Sequence, residues 1–187
     1  MPGPSTPVGP TASCHPDDYR SLMSAFPTGV SVVTSVGVDG LPRGLTCSAL
    51  TSVTVAPPTL LVCLNDRSAT LEALEISGRF AVNLLHHEAH RAARIFAGPA
   101  VDRFGLVPWD LSPHGGLPRL VEDAFAVAEC RVTRTFRVSD HAVIVAEVTH
   151  AERQTAVPLL YGLRRFASWH DMPVAVPGDE PRSEGQS

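Results

Sequence analysis

The stretch Val30-Ser-Val-Val-Thr-Ser-Val-Gly-Val-Asp-Gly-Leu-Pro-Arg-Gly-Leu-Thr-Cys-Ser-Ala49 predicts a β-hairpin, and with it a β-rich fold. Apolar side chains alternate from Val30 to Val38, which is typical of a strand with one buried face. Asp39-Gly40 is a common two-residue turn between antiparallel strands. We therefore expect the chain to return as a second strand through Leu45, Cys47 and Ala49.

Outside this hairpin, the same patterns predict further strands and a few short helices. Apolar runs at residues 60–64 and 80–85 indicate strands buried on both faces, separated from the hairpin by a chain break at Pro57-Pro58. Two long strands, residues 124–138 and 141–152, are predicted to join at Ser139-Asp140, and short strands near Leu160 and Phe166 finish the fold. Helical spacing and end signals predict helices at residues 19–26, 68–78 and 89–96.

Many strands, few helices and no strand–helix alternation predict a mostly β fold, an antiparallel barrel with a few peripheral helices. A dinucleotide-binding α/β domain is disfavoured because no Gly-x-Gly-x-x-Gly follows a strand. A loop of about twenty residues after Gly98-Pro99, containing Trp109, is predicted to be functional or covered by a partner.

Length and composition predict one domain, residues 16–170, between two disordered segments. Residues 1–15 and 171–187 are rich in Pro, Gly and Ser, which disfavours a packed core. The net charge of −4 argues against a nucleic-acid partner, and no apolar run is long enough to cross a membrane. No secretory signal is visible, so we expect a cytoplasmic location.

The four cysteines, at positions 14, 47, 63 and 130, form no Cys-x-x-Cys pair, and we expect buried free thiols in a reducing compartment. Metal binding is not expected either. His87-Glu-Ala-His90 is one residue short of the His-Glu-x-x-His zinc pattern, so surface helix histidines are the preferred interpretation.

Two segments have the chemistry to hold a flat polar ring and a phosphate. In Thr46-Cys-Ser-Ala49, short side chains would let backbone amides approach a ring edge, although an ordinary strand with a wet face has the same pattern. Asn65-Asp-Arg-Ser68 lies between a strand and a helix, where unpaired amides, a hydroxyl and Arg67 can bind phosphate. A plain helix cap is the structural alternative for this second segment.

The order and spacing of these segments, from about Tyr19 to Trp169, resemble the flavin reductase family. The resemblance includes Phe26-Pro-Thr-Gly29, Gly78-Arg-Phe-Ala-Val-Asn83, Asp102-Arg-Phe104 and Asp140-His141. It implies a split antiparallel Greek-key barrel, an NAD(P)H:flavin oxidoreductase that reduces FAD or FMN, and a homodimer. It also implies a partner, a flavin-dependent monooxygenase that receives the reduced flavin.

The resemblance and the two segments together give a set of candidate site residues. His141 is the candidate catalytic residue, near the nicotinamide, although a polar residue at a hairpin tip would look the same. The candidate cofactor-binding residues are Thr28, Gly29, Thr46, Cys47, Ser48, Ala49, Ser52, Cys63, Asn65, Arg67, Ser68, Ala81, Asn83, Phe104 and Tyr161. No metal ligand is expected.

Several alternatives stay open on the sequence. A non-catalytic flavin carrier or redox sensor on the same barrel, or an oxidase acting on a pyridoxine phosphate, would share most of these features. FAD or FMN, and NADH or NADPH, are not distinguished. The chain departs from the family at Ser139, where Gly is common, and at Arg164-Arg165, where an acidic, aromatic-rich segment is usual.

Overall fold

A computed structural model of the chain describes residues 13–99 and 101–169. The helices are α1 (Pro16–Ser24), α2 (Ala69–Ser77) and α3 (His90–Ala97). The strands are β1 (Thr28–Gly29), β2 (Ser31–Val36), β3 (Pro42–Cys47), β4 (Leu50–Val55), β5 (Pro58–Asn65), β6 (Arg79–Leu85), β7 (Trp109–Leu111), β8 (Pro118–Leu120), β9 (Ala124–Val138), β10 (His141–Arg153), β11 (Leu159–Gly162) and β12 (Arg165–Ser168). The expected disordered segments, 1–15 and 171–187, fall almost wholly outside the described residues.

The main sheet has seven antiparallel strands in the order β3-β2-β6-β9-β10-β5-β4, which confirms the expected barrel. β3 and β4 lie at opposite ends of this order but follow each other in the chain, so Ser48-Ala49 joins the two edges. There the Cys63 amide donates to the Ala49 carbonyl at 3.0 Å. The connection through α2 returns β6 beside β2, a Greek-key arrangement. We call the junction at Ser48-Ala49 the seam.

The β9–β10 hairpin links the two halves of the main sheet. β6 pairs with the first part of β9, up to Arg131, whereas β5 pairs with the first part of β10, from His141 to Glu147. The half-sheets β3-β2-β6 and β5-β4 are therefore attached to different segments of this long ribbon. The predicted turn at Ser139-Asp140 is confirmed, with Ser139 at a φ of 54°.

Two apolar clusters form the core. The first fills the barrel, where side chains such as Val33, Val62 and Ile144 meet Leu71 and Leu74 of α2. The second lies between the barrel and α3 and includes Ala93, Phe96 and Phe104. Helices α2 and α3 are therefore fixed against the barrel by burial of apolar surface, which is the main favourable term in folding.

The predicted ends of α2 and α3 are confirmed. Ser68 caps α2, since its Oγ accepts hydrogen bonds from the Thr70 and Leu71 amides, and Gly78 ends the helix at a φ of 68°. α3 ends at Gly98. By contrast α1 buries none of its residues, although its apolar side chains recur at helical spacing. None of the described helices has the length and apolar content needed to cross a membrane.

Four expectations about local structure were wrong. The segment after Gly98 is not an irregular loop, because it contains a 3-10 turn (Phe104–Leu106) and the β7–β8 hairpin. β5 is not buried on both faces, since it alternates half-buried and buried residues from Leu61 to Leu64, whereas the expected break is present, with Pro57 in the β4–β5 turn and Pro58 at the start of β5. Cys14 is exposed rather than buried. His86 and His87 precede α3 instead of lying on it.

Candidate functional site

Three grooves lie along the Thr46–Ala49 segment, which ends at the seam. The α2 groove, about 890 Å³, lies between the start of α2 and residues 101–104. The α3 groove, about 750 Å³, lies between α3 and the β11–β12 turn. The α1 groove, about 470 Å³, lies between the end of α1 and strands β4 and β5. Each has a volume in the range of roughly 300–1,000 Å³ that small-molecule sites occupy.

Shared lining residues make the three grooves one continuous surface. Thr46 and Ala97 line both the α2 groove and the α3 groove. Ser48 and Tyr161 line both the α3 groove and the α1 groove. A ligand much longer than any one groove can therefore extend along the surface, with the Thr46–Ala49 segment at its centre.

Strand alternation decides which side chains of this segment face the grooves. Thr46 and Ser48 line them, whereas the Cys47 side chain points into the barrel cluster and the residue is 4% exposed. Burial raises the pKa of the Cys47 thiol to about 11. Cys47 therefore offers a ligand only its backbone, and a nucleophilic role is disfavoured because the thiol stays protonated at neutral pH.

The Thr46 hydroxyl is already engaged within the fold. Its Oγ1 donates to the Ala93 carbonyl at 2.6 Å, which fixes α3 against β3. The hydroxyl proton is therefore not available to a ligand. Ser48, which is exposed and has no such bond in the described residues, is the freer donor of the two.

The candidate phosphate segment lies in the α2 groove, but several of its expected donors are already used within the fold. Asn65, Arg67 and Ser68 all line the groove. Asn65 Oδ1 accepts from the Arg67 amide, and Ser68 occupies the first helix amides through its Oγ and carbonyl oxygen. The amides of Thr70, Leu71 and Glu72 are thus used within the cap. Donors that remain on this wall include the Ser68 hydroxyl proton, the Arg67 guanidinium, the Asn65 Nδ2 group and the Ala69 amide.

Arg103 is a site residue that sequence reasoning did not include in the flavin set. Its Nη1 donates to the Gly44 carbonyl at 2.7 Å and its Nη2 to the Gly98 carbonyl at 2.6 Å. Its Nε is buried with no hydrogen-bond partner, and no carboxylate of the described residues pairs with it. Because Arg103 is half-buried and has no counter-charge in the described residues, this wall of the α2 groove suits an anionic group. The sequence feature that could have indicated Arg103 is the segment Asp102-Arg-Phe104.

The α1 groove collects several other candidates. Thr28, Ala49, Cys63 and Tyr161 line it together. Thr28 is paired with Tyr161 across β1 and β11, and the Tyr161 ring packs edge-on against Phe166 at 5.4 Å between centroids. Tyr161 is thus held at the point where the α1 and α3 grooves meet, in a position to cover a ring bound at the seam.

Phe104, Gly29 and Ser52 are less accessible to a ligand in the grooves than expected. Phe104 lines the α2 groove but is 8% exposed and packs edge-on against Phe96. It therefore forms part of the groove wall and does not cover a bound flavin ring. Gly29 and Ser52 line none of the three grooves, although their neighbours Thr28 and Thr51 line the α1 groove.

The structure does not bring Ala81 and Asn83 to the site. Both are fully buried in β6. The Asn83 amide donates to the Val32 carbonyl and to Thr34 Oγ1, and its Oδ1 accepts from the Leu120 amide. These three bonds use the side chain as a cross-link within the fold and leave it without a role toward a ligand.

His141 is exposed at the start of β10 and lines none of the three grooves. It lies opposite Asn65 in the β5–β10 register, so it adjoins the end of the α2 groove. Its Nδ1 is 2.9 Å from Asp140 Oδ1, and this hydrogen bond holds the pKa of Asp140 below its usual range. An ionised Asp140 fixes the proton on Nδ1, which leaves Nε2 as an acceptor in the neutral ring.

Among the described residues, no group of three or more His, Cys, Asp or Glu side chains has a metal-binding arrangement. The donor set of the site instead consists of hydroxyls, backbone groups and guanidinium ions. Arg67, Arg103 and Ser68 suit a phosphate, and the short side chains of the seam suit a flat ring. The residues present therefore fit a flavin, which combines the two.

Comparisons with known proteins agree with this fit. Residues 23–170 match the family described as "Flavin reductase like domain". The chain is 52% identical over 152 residues to "Flavin reductase (NADPH)" of Lentzea aerocolonigenes, covering 81% of this chain and 89% of the relative. It is 38% identical over 149 residues to a Rhodococcus opacus protein named as the reductase component of 4-nitrophenol 4-monooxygenase/4-nitrocatechol 2-monooxygenase, covering 80% and 78%.

The solved structures include a similar fold with nucleotide fragments bound. It is the NADH:FAD oxidoreductase SgcE6 of Streptomyces globisporus C-1027, in complex with NAD and FAD fragments. The similarity has a TM-score of 0.78 at 34% identity and covers 88% of this chain and 99% of that one. A matched family over most of the chain and relatives of this identity lead to one conclusion: this chain belongs to the flavin reductase family.

Proposed function

We propose that the chain is an NAD(P)H:flavin oxidoreductase that reduces FAD or FMN by hydride transfer and supplies the reduced flavin to a monooxygenase. The observation that carries the proposal is the continuous surface of three grooves at the seam. It offers a place for a flat ring, a phosphate end with Arg67, Ser68 and Arg103, and further room for a second nucleotide.

Different parts of the site would bind different parts of the flavin. Backbone groups of Thr46–Ala49 and the Ser48 hydroxyl would orient the ring at the seam, and Tyr161 would cover it. Arg67, Ser68 and Arg103 would hold the phosphate of the flavin in the α2 groove. A bound flavin supplies the redox chemistry, as acceptor of the hydride from the nicotinamide. The protein need only hold the two rings together and limit water, so no nucleophile is required.

We assign His141 a positioning role toward the nicotinamide. Its Nδ1 is hydrogen-bonded to Asp140, which orients the ring and directs Nε2 outward toward a polar group such as the nicotinamide carboxamide. His141 adjoins Asn65 but does not line a groove of its own chain. This placement favours contact with a nicotinamide bound in the site of a second copy.

We also propose a homodimer, because an apolar surface lies next to the site. This surface, which we call the α1 face, consists of Tyr19, Leu22, Met23, Phe26 and Leu163, all of them exposed. Met23 and Phe26 also line the α1 groove. Exposed apolar patches rimmed by polar residues mark interfaces, and a second copy seated here would complete the wall of the site.

Two relatives support the partner and the use of either nucleotide. The R. opacus relative is named as a reductase component, which favours a separate oxygenase as recipient of the flavin. One relative is named for NADPH and the similar solved structure for NADH. Use of NAD(P)H also favours a cytoplasmic location, where these nucleotides are available.

Flavin-dependent oxidation of NADH or NADPH in air, followed at the nicotinamide absorbance band, tests the function. We expect rapid consumption only when FAD or FMN is added, and a higher rate with one of the two. Flavin binding without consumption of either nucleotide would instead favour a carrier or sensor. The matched variant is Arg67→Gln, which should weaken binding of FMN more than binding of riboflavin, since riboflavin has no phosphate.

A further inference from the structure

The α3 groove has four basic side chains and no acidic one among its described lining residues. They are His90, Arg94, Arg164 and Arg165. None of the four forms an ion pair within the described part of the chain, whereas arginines elsewhere, such as Arg137 and Arg131, are paired with carboxylates. Three guanidinium groups and an imidazole thus line one cavity without counter-charge, so the groove is suited to an anion.

The turn that carries two of these arginines has an unusual backbone. Leu163 and Arg164 adopt φ values of 50° and 60°, as a two-residue type I′ turn requires, although leucine and arginine seldom enter this region. Two contacts hold the turn in place: Gly162 pairs with Arg165 across β11 and β12, and the Leu163 amide donates to the Ser24 carbonyl at 2.5 Å. Unfavourable backbone conformations of this kind concentrate at functional sites.

Arg94 is oriented toward the same cavity from the opposite wall. Its guanidinium carbon lies 5.6 Å from the centroid of the Phe166 ring, a cation–π contact that limits its conformational freedom. Arginine presents a rigid fork of donors that matches phosphate oxygens two at a time. Arg94 from α3 and Arg164 and Arg165 from the turn therefore face one groove from two elements.

We infer that the α3 groove binds the 2′-phosphate of NADPH and thereby selects NADPH over NADH. This inference rests on the proposed function. The groove joins the seam through Thr46, Ser48 and Tyr161, so a dinucleotide whose nicotinamide lies at the seam can extend into it. The 2′-phosphate is a monoester with a charge of about −1.5 to −2 at pH 7. It is the most concentrated negative charge on the molecule and the one group that NADH lacks.

The direct test is binding of two small probes by calorimetry in the absence of flavin. Adenosine 2′,5′-bisphosphate and 5′-AMP share the adenosine and the 5′-phosphate and differ only in the 2′-phosphate. We expect the bisphosphate to bind at least about tenfold more tightly, and this preference to fall below about twofold in the double variant Arg164→Asn, Arg165→Gln. Asn is chosen at position 164 because it tolerates positive φ.

Two further variants serve as controls: one keeps the positive charge at position 164, and the other removes a positive charge outside the grooves. Arg164→Lys keeps the charge and should retain most of the preference for the bisphosphate. Arg134→Gln removes an exposed arginine of β9 that lines none of the three grooves and forms no ion pair in the described residues, so the preference should not change. Urea midpoints within experimental error of the wild type would show that each variant folds.

Kinetics separates failure of this inference from failure of the proposed function. In the double variant we expect kcat/KM for NADPH to fall at least about tenfold and kcat/KM for NADH to change less than about twofold. Equal losses for both nucleotides, or equal binding of the two probes by the wild type, would overturn the inference and leave the reductase standing. No flavin reduction with either nucleotide would overturn the proposed function, whatever the probes show.

Discussion

Gly44 shows how closely single residues are fitted at the wall of the α2 groove. A Cβ at this position would lie 2.9 Å from Phe96 Cε1 and 3.1 Å from Phe104 Cζ. Both rings are buried in the cluster under α3, so neither can swing away freely. The Gly44 carbonyl also accepts the hydrogen bond from Arg103. Packing of the aromatic wall and placement of the half-buried Arg103 therefore depend on the same residue.

Gly44→Ala should lower the free energy of unfolding by about 1–3 kcal/mol, because an added methyl must displace buried ring atoms. Urea unfolding followed by tryptophan fluorescence measures this loss. The matched control is Gly29→Ala, since a Cβ there meets nothing within 4 Å. Equal midpoints for the two variants would contradict the close fit at Gly44.

His141→Ala should raise the KM for the nicotinamide nucleotide several-fold and change the Kd for flavin less. Steady-state kinetics and flavin titration measure the two effects, and equal effects on both would remove the proposed positioning role. The variant should also raise the pKa of Asp140, since the His141 hydrogen bond is the main cause that lowers it. Carboxyl chemical shifts during an NMR titration would report this change.

The sign of the pH effect follows from the direction of that shift. A carboxyl group whose pKa is lowered by folding contributes stability above its unfolded pKa, and this contribution is lost as pH falls through the lowered value. The wild type should therefore exceed His141→Ala in stability near neutral pH, and the difference should vanish in acid. Because Asp140 is fully exposed, solvent screening keeps the difference small.

At the scale of elements, helix α2 has both a structural role and a binding role. Its body closes the barrel with Leu71 and Leu74, and its first residues line the α2 groove. Arg137 of β9 is ion-paired with both Asp66 and Glu75, and so ties the segment before the helix to the helix itself. Ser68 serves both roles, because it caps the helix and is a candidate hydrogen-bond donor to the phosphate.

Two substitutions at Ser68 separate these two roles. Ser68→Ala should cost about 1 kcal/mol of stability because the cap is lost. Ser68→Asp keeps a capping oxygen and adds a negative charge, so stability should stay within about 0.5 kcal/mol of the wild type. FMN affinity should then fall at least about tenfold, with less effect on riboflavin. Equal loss of both ligands would show that the segment does not bind the phosphate.

The elements that sequence predicted well are those fixed by neighbouring residues. The ribbon 124–138 and 141–153, the Ser68 cap and the Gly78 end depend on alternation and turn chemistry within a few residues. The β7–β8 hairpin was not predicted, because its strands are only three residues long and the segment between them contains Pro and Gly. Asn83 was misassigned because its three hydrogen-bond partners are distant in sequence. The contact of Arg103 with Gly44 spans 59 positions, so no local pattern shows it.

At the scale of the whole molecule, the α1 face is the largest departure from a self-contained fold. α1 has apolar side chains at helical spacing yet buries none of them, and Phe26 is 62% exposed. A stable dimer interface buries on the order of 1,600 Å² in total, which a helix of this length and the adjoining turn can supply only in part. The rest would come from the neighbouring rim of the site, so assembly and ligand binding are expected to be coupled.

If the proposed dimer forms through the α1 face, Leu22→Asp should yield a monomer and lower the reductase rate, because a charge placed in an apolar interface is costly. Sedimentation velocity measures the mass, and flavin-dependent NAD(P)H oxidation measures the rate. Val38→Asp, in the β2–β3 turn and 82% exposed, is the matched control and should change neither. A wild type that sediments as a monomer at all concentrations would contradict the proposed dimer.

The offset pairing along the β9–β10 ribbon has a consequence for the order of folding. The ribbon can form early because a two-residue turn joins its strands, whereas β6 and β5 must close longer loops to dock on it. The seam joins the outer edges of the two half-sheets, so it is completed last. A flavin bound there would hold the two edges of the folded barrel together. In stopped-flow experiments saturating flavin should slow unfolding and leave the folding rate unchanged.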